Sequence, residues 1–272
     1  MSDIRIMPEL LNSEQLLIDI LSLEKTWGGV VDIGQTWKLL EGIVYQSRIA
    51  LKNTRYELYE NDLLAELNEV LDNFYLDQAF SSVGQGIPDS SLNSLNYLVQ
   101  YHTGESLSMA VLLNHVLLML DFDSNIKVID HEIMVEVALS NREYAVIDAT
   151  TGEQFTHLEH HASRTLPIHF SVPNRVLDAN GIMQIFLTQQ KLAFTEEKSF
   201  DKALNCIEFL IETTPDDPYQ RRDRGYLLQQ LDCHPQAKDD FEFFISQCPE
   251  DPTTQMLKSK IEEIETVEHI FH

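Results

Sequence analysis

Apolar residues recur every three to four positions from residue 8 to about residue 120, with charged residues between them. This spacing is typical of amphipathic helices, because one helix face repeats at that interval. Pairs four residues apart mark three such faces: Leu17 and Leu21, Leu40 and Val44, and Leu67 and Leu71. A longer apolar helix is predicted after Thr103-Gly104, where the pattern breaks. The first 120 residues are therefore predicted to be mainly helical.

The pattern changes after about residue 124. Segments 125–130, 133–139 and 144–149 are short and rich in β-branched residues, which favours strands, and a short polar turn separates the last two. The stretch from 151 to about 178 has few apolar positions, and we predict a loop with a short helix there. Helices followed by sequential strands indicate an α+β domain with an antiparallel sheet.

A repeat with a period of 34 residues follows. The dipeptide Asp-Pro at 217–218 recurs at 251–252, and Ala203 recurs as Ala237. This period is that of tetratricopeptide repeats, each a helix–turn–helix. Asp caps free amides at a helix start and Pro suits the first turn, so each dipeptide begins a helix. Gly225 is predicted to admit a neighbouring helix closely. The predicted helices are 182–196, 200–213, 218–231, 235–247 and 252–266.

These patterns predict two domains. Residues 1–178 form a mainly helical domain with a small antiparallel sheet, and residues 179–272 form an all-α tetratricopeptide-like region.

Composition narrows the class of partner. The formal net charge is −25, and a chain this acidic repels nucleic acid and anionic membranes. No apolar run is long enough for a membrane helix, and no apolar leader begins the sequence. The three cysteines, Cys206, Cys233 and Cys248, include no Cys-x-x-Cys pair. We expect a cytoplasmic protein that binds a protein or peptide, without a cofactor or metal.

The segment from Gly104 to Asp148 has the layout of a transglutaminase-like (papain-like) core. In that layout a nucleophile begins a helix, a His base lies on a following strand, and an Asp on the next strand orients the His. The Gly-x-Cys pattern of such cores aligns with Ser106, and the strand pattern His-Ala-Trp-x-Glu-Val aligns with a segment that begins at Glu132. Only Asp148 matches the expected triad.

Longer motifs resemble a known family. The stretches Pro218-Tyr-Gln-Arg-Arg-Asp-Arg-Gly-Tyr-Leu-Leu-Gln-Gln-Leu231 and Cys248-Pro-Glu-Asp-Pro252 resemble those of SirB-type bacterial proteins. A weaker resemblance runs through Thr103-Gly-Glu-Ser-Leu-Ser108 and Ile147-Asp-Ala-Thr-Thr-Gly-Glu153. The resemblance implies a transglutaminase-like domain joined to a C-terminal tetratricopeptide-like region.

With Ser106 and Glu132 in place of Cys and His, the predicted triad is degenerate. A serine hydroxyl needs a base, and an ordinary glutamate is a weak one. Two histidines are alternative bases. His131 precedes Glu132 on the predicted strand, where alternation places the two side chains on opposite faces, and His102 lies just before the helix start.

Two further clusters are candidate sites. His157, His160 and His161 fall in a short polar stretch, and a helix there would put His157 and His161 on one face at zinc-compatible spacing; an exposed loop is the alternative, and no metal site is predicted. Arg221, Arg222 and Arg224 surround an Asp in an acidic chain. They either bind a carboxylate or acidic partner, or form an ion-pair network that holds the repeat helices against the first domain.

Three functional hypotheses follow. The first is a non-catalytic interaction or regulatory scaffold that binds a protein or peptide. The second is an amidase or peptidase with Ser106 as nucleophile, His131 or His102 as base, and Asp148. The third is a sensor of a small cation or basic ligand, suggested by the net charge.

Overall fold

The computed structural model describes residues 8–28, 31–57, 62–83, 88–140, 142–158 and 175–270. The chain forms two compact units. The first comprises residues 1–86 and 91–183, and the second comprises residues 87–90 and 184–272. The four residues 87–90 thus belong to the second unit although they lie within the sequence of the first.

Helices make up most of the first unit. They are α1 (Pro8–Thr26), α2 (Ile33–Glu57), α3 (Leu63–Asp72), a π-helical turn (Asn73–Asp77), α4 (Leu95–Tyr101) and α5 (Ser106–Met119). The predicted helical faces are confirmed, since Leu17, Leu21, Leu40, Val44 and the other paired leucines are buried. Nearly all of α5 is buried, and it packs against α1, α2, α4 and the first two strands. This helix is the centre of the first core.

The start of α4 is capped in two ways. The Ser94 hydroxyl accepts a hydrogen bond from the Tyr97 amide at 3.1 Å. The buried Glu24 carboxylate, from α1, accepts from the amides of Leu95 and Asn96 at 2.6 and 3.1 Å. Burial raises the pKa of Glu24 from 4.5 to about 7.

An antiparallel sheet completes the first unit. Its strands are β1 (Ser124–Ile129), β2 (Glu132–Ala138), β3 (Glu143–Asp148), β4 (Gln154–Leu158) and β5 (Arg175–Val176), in the spatial order β4-β3-β2-β1-β5. The three predicted strands are confirmed. The loop predicted over 151–178 was wrong at β4 and β5, while residues 159–174 lie outside the described part of the chain.

Five helices follow the sheet: α6 (Ala179–Glu196), α7 (Phe200–Thr213), α8 (Pro218–Gln230), α9 (His234–Gln247) and α10 (Thr254–Ile270). They agree with the predicted helices. The Asp-Pro turn at 217–218 acts as predicted, since Asp217 caps α8 and accepts from the Tyr219 amide at 2.9 Å. At 251–252 the Asp251 carboxylate accepts from the Thr253 amide at 2.8 Å, but α10 begins two residues after Pro252, at Thr254. The Tyr219 hydroxyl also donates to Asp251 at 3.2 Å, which links the two turns.

The second unit has its own apolar core. Leu228, Ala237, Phe241, Phe244, Leu257 and Ile264 are buried together. Gly225 permits a close approach of α8 and α9, as predicted, because a methyl group there would lie 2.6 Å from the Phe241 ring. Ser90 is joined to the helices of this unit, since the Glu197 carboxylate accepts from its amide and hydroxyl at 2.8 and 2.9 Å.

Among the described helices, none is both long and apolar enough to span a membrane.

Candidate functional site

Ser106 is the first residue of α5 and is half-buried. The residues around it fix the helix start. The Glu105 amide donates to the Leu92 carbonyl at 2.9 Å, and the Ser108 hydroxyl donates to the Glu105 carbonyl at 3.0 Å. Gly104 has no room for a side chain, since a methyl group would lie 2.9 Å from the Ser108 oxygen. The Thr-Gly-Glu-Ser-Leu-Ser motif therefore has a structural role that does not depend on chemistry at Ser106.

Glu132 and Asp148 project from the same side of the sheet. Asp148 is paired with Met134, directly across the β2–β3 ladder, and Glu132 lies two residues before Met134 on β2. Side chains two apart on a strand share a side, as do directly paired residues. Val135 and Val137, which alternate with these residues along β2, are fully buried on the opposite side.

The buried side of the sheet is the one that faces α5, because α5 packs against β1 and β2 and is itself buried. Ser106 thus belongs to the layer on one side of the sheet, whereas Glu132 and Asp148 project from the other. Glu132 is also exposed. The sequence placed these residues in one triad, but the strand alternation separates Ser106 from the other two.

Asp148 organises the turn that follows β3. Its carboxylate accepts from the amide and hydroxyl of Thr150 at 2.8 and 2.6 Å, and its carbonyl accepts from the Gly152 amide at 2.8 Å. Gly152 has a φ of +76°, and a methyl group there would lie 2.6 Å from the Tyr75 ring. The Asp-Ala-Thr-Thr-Gly motif is therefore explained by an Asx-type turn that packs on an aromatic ring.

Tyr75 is a residue of this region that the sequence reasoning missed. Its hydroxyl donates to the Ala149 carbonyl at 2.7 Å. Burial and the negative charge of Asp148 both raise its pKa above the ordinary range. Tyr75 lies in the π-helical turn, about 70 residues before β3, so local sequence carries no signal that joins them.

His131 does not lie on a strand, which corrects the sequence interpretation. It forms the two-residue turn between β1 and β2 with Asp130, and both have positive φ, +72° and +50°. Positive φ at both central residues defines a type I′ hairpin turn. The His131 side chain is exposed at the tip of the hairpin, so the alternation argument does not apply to it.

His102 ends α4 in the left-handed conformation, with a φ of +57°. Its Nδ1 lies 2.6 Å from the Gln78 carbonyl, so Nδ1 carries the proton and donates. The ring stacks on Phe80 with a centroid separation of 4.2 Å. Within the described part of the chain, no hydrogen bond joins Ser106 to His102, His131 or Asp148.

The arginines of α8 are engaged within the second unit. Arg224 makes two 2.7 Å hydrogen bonds to Asp240 of α9, which is 1% exposed, and Arg221 lies 3.5 Å from the same carboxylate. Arg222 pairs with Asp223 at 2.8 Å. The pairs of Arg221 and Arg224 with Asp240 join α8 to α9, whereas the Arg222–Asp223 pair lies within α8. The arginine side chains remain partly exposed, so binding of an external carboxylate stays a prediction.

The structure gives little support to metal binding by the cluster of His157, His160 and His161. His157 lies in β4, so the predicted helical spacing with His161 fails at its first member. His160 and His161 lie outside the described residues. Among the residues described, no group of three or more His, Cys, Asp or Glu side chains is arranged to hold a metal ion.

The chain thus combines a mainly helical first unit, which contains a small antiparallel sheet, with a tetratricopeptide-like helical region. A family model described as "Tetratricopeptide repeat" matches residues 190–262. Similar proteins include a UPF0162 protein of Vibrio cholerae, 28% identical over 209 residues, or 75% of this chain and 77% of the relative. The UPF0162 protein YchA of Escherichia coli K12 is 25% identical over 213 residues, which is 76% of this chain and 79% of the length of YchA.

Protein SirB1 of Salmonella typhimurium is 35% identical over 95 residues, which is 35% of each chain. The homologues of this chain are thus UPF0162 and SirB family proteins, as the sequence motifs predicted. No solved structure matches the chain.

Proposed function

We propose that this chain is a non-catalytic protein-interaction or regulatory scaffold. In this proposal, residues 1–178 form a transglutaminase-like domain without the Cys and His of active members, and residues 179–272 form a tetratricopeptide-like module. The observation that carries the proposal is the separation of Ser106 from Glu132 and Asp148 by the sheet. A hydroxyl without a base is a poor nucleophile.

The repeat region supports the choice of a protein or peptide as the partner. Tetratricopeptide repeats generally mediate protein–protein interaction, because stacked helix pairs create an extended binding surface. Large apolar side chains are exposed on its helices, among them Phe209, Tyr219 and Met256. Such side chains are suited to contact a partner.

Affinity purification of the tagged full chain from a lysate of the native cells tests this proposal, followed by a dissociation constant for each purified partner. Ser106→Ala should retain full affinity. Phe209→Ser or Met256→Ser should weaken binding, since each removes an exposed apolar contact. Unchanged affinity in both repeat variants would contradict the assignment of binding to the repeats.

An amidase or peptidase remains the alternative, because Ser106 begins a 14-residue helix whose N-terminus stabilises developing negative charge. A fluorophosphonate probe distinguishes the two functions. Labelling of the native chain that Ser106→Ala abolishes, in a variant that keeps its circular dichroism spectrum, would establish the hydrolase and refute the scaffold proposal. Absence of labelling is the outcome expected of the scaffold.

A further inference from the structure

A cavity of about 290 Å³ lies in the first unit, between α1, α2 and the C-terminal half of α5. Leu40 and Val44 form part of its apolar wall, and the Trp37 ring also lines it. None of the three predicted triad residues is among the lining residues. The volume is near the lower limit for ligand sites, so the cavity suits a small molecule rather than a peptide or a nucleotide.

The most buried polar group of the cavity is the His115 ring on α5, which is only 2% exposed. Its Nδ1 lies 2.9 Å from the Ser13 hydroxyl oxygen, whereas its Nε2 makes no hydrogen bond among the residues that the structure describes. Nε2 keeps accessible surface, in contrast to Nδ1 of His234, which is sealed without a partner. Because the His115 side chain is almost wholly buried and lines the cavity, the accessible surface of Nε2 opens into it. A bound molecule can therefore reach this nitrogen and supply its missing hydrogen bond.

Two carboxylates without partners line the same cavity. Glu14 of α1 is half-buried and Glu41 of α2 is exposed, and in the parts of the chain that the structure describes neither side chain makes an ion pair or a hydrogen bond. The positive group of the wall, Arg48, is engaged, because its Nη2 donates to the Met119 carbonyl at 3.0 Å. Met119 ends α5, and the end of a helix dipole attracts a cation. The charge that is left for a ligand is therefore negative.

Aromatic rings provide a second attraction for a cation. The Trp37 ring lies 6.3 Å from the His115 ring, measured between centroids, and the exposed Tyr45 also lines the cavity. The faces of such rings attract cations, and tryptophan does so most strongly. A metal ion fits less well, because the described residues include no group of three or more His, Cys, Asp or Glu side chains arranged to hold one. The wall thus favours an organic cation.

We propose that this cavity binds a small organic amine in its protonated form. The ligand ammonium donates to Nε2 of His115 and to the carboxylate of Glu14, and Glu41 adds a second negative charge. Burial lowers the pKa of His115 to about 4, so the ring is neutral near neutral pH. With its proton on Nδ1, the ring donates to the Ser13 hydroxyl and leaves Nε2 as an acceptor. The Trp37 ring and the apolar wall contact the carbon skeleton. This site is independent of the scaffold proposal, and it provides a location for the basic ligand that the net charge suggests.

Calorimetry and thermal unfolding of the full chain test the site. The probes are butylamine, putrescine and phenethylamine, and the controls are the alcohols with the same carbon skeletons. At least one amine should give a saturable heat and raise the melting temperature, whereas its alcohol, which lacks the charge, should do neither. Absence of binding by every one of these amines would overturn the proposal.

A trimethylated analogue of the amine that binds tests the hydrogen bond. This analogue keeps the positive charge but has no N–H group to donate, so it should bind at least about tenfold more weakly. Equal affinity of the amine and its trimethylated analogue would show an attraction by charge alone and would overturn the assignment of Nε2 as the acceptor.

Removal of the Glu14 charge locates the site. Glu14→Gln should weaken binding by about tenfold, because a charged hydrogen bond is lost. The matched control is Glu69→Gln, since Glu69 is half-buried like Glu14, lies on α3 of the same unit and does not line the cavity. Equal affinity of the Glu14 and Glu69 variants would overturn the proposal.

Two substitutions of His115 separate a binding role from a structural one. In His115→Asn the amide replaces Nδ1 and leaves nothing at the position of Nε2, whereas in His115→Gln the longer side chain extends its amide to that position. His115→Asn should weaken binding by about tenfold, and His115→Gln should weaken it less. The circular dichroism spectrum of each ligand-free variant verifies folding, and the Glu14→Gln test does not depend on it. An equal loss of affinity in both folded variants would overturn the proposal.

Discussion

At Gly225 the structure predicts that Gly→Ala lowers the free energy of unfolding, whereas helix propensity alone predicts that it raises it. Gly225 lies inside α8, and Gly42 lies inside α2, where it is exposed. In an exposed helix interior, Gly→Ala stabilises by about 1 kcal/mol, because glycine loses more backbone freedom on folding. A methyl group at Gly42 would have no atom within 4 Å. Gly42→Ala should therefore show the full stabilisation.

At Gly225 the same methyl group meets buried atoms. It would lie 2.6 and 2.8 Å from two carbons of the Phe241 ring and 3.2 Å from the Ala237 carbonyl oxygen. The ring must move by roughly 1 Å to restore ordinary carbon–carbon contact. Phe241 is fully buried and packs edge-on against Tyr226 at 5.2 Å. Overpacking of this kind costs about 1–3 kcal/mol, so Gly225→Ala should destabilise by about 1 kcal/mol net.

Urea unfolding of both variants measures these changes. Far-UV circular dichroism follows the helices of both units, and tryptophan fluorescence follows the first unit, since Trp27 and Trp37 both lie there. Gly225→Ala should move the circular dichroism transition to lower urea, and Gly42→Ala should move the fluorescence transition to higher urea. Phe241→Leu, with a smaller side chain, should cost less in the Gly225→Ala background than in the native chain. A stabilising Gly225→Ala would refute the reasoning.

Four other predictions concern buried groups. The contribution of Glu24 to stability should fall by roughly 3 kcal/mol as the pH rises from 4.5 to 7, because the folded state holds the Glu24 proton after the unfolded state has released it. Burial lowers the pKa of His115 from 6.5 to about 4, so the contribution of His115 rises with pH over much of the same interval, and the two contributions largely offset each other in the native chain. In urea titrations at several pH values, Glu24→Gln should therefore give a protein whose stability rises with pH across this interval, and His115→Gln one whose stability falls. Arg224→Met should lower the free energy of unfolding by about 3 kcal/mol, because it leaves the Asp240 carboxylate buried, and a second change, Asp240→Leu, should restore most of the loss. Burial raises the pKa of Cys206 to about 12, so Ellman's reagent should modify the other two cysteines first and Cys206 only after unfolding.

The repeat region was predictable because its signals are local. Each Asp-Pro dipeptide marks the start of a helix to within two residues, and the 34-residue period predicts the position of the second from the first. The short strands β4 and β5 were missed, because their polar surroundings lack an alternating pattern long enough to detect. The Asp130-His131 turn was missed for a related reason: type I′ turns are usually marked by glycine, and here neither residue is one.

The candidate sites were less predictable, since they depend on residues far apart in the chain. Ser106, Glu132 and Asp148 follow one another along the sequence in the order that the predicted triad requires, yet strand alternation sends the last two to the other side of the sheet. The Tyr75 hydroxyl and the Ala149 carbonyl, which a hydrogen bond joins, come from elements far apart in the chain. Only tertiary packing brings them together.

The assignment of residues 87–90 to the second unit affects how this protein can be divided into fragments. Because this short segment belongs with the C-terminal helices, a cut at residue 178 separates Ser90 from Glu197, and neither fragment is a faithful copy of its unit. The same arrangement sets the order in which the parts of the second unit are synthesised. This segment leaves the ribosome well before the helices of the second unit are synthesised. The second unit is therefore complete only when those later helices have packed with the earlier segment.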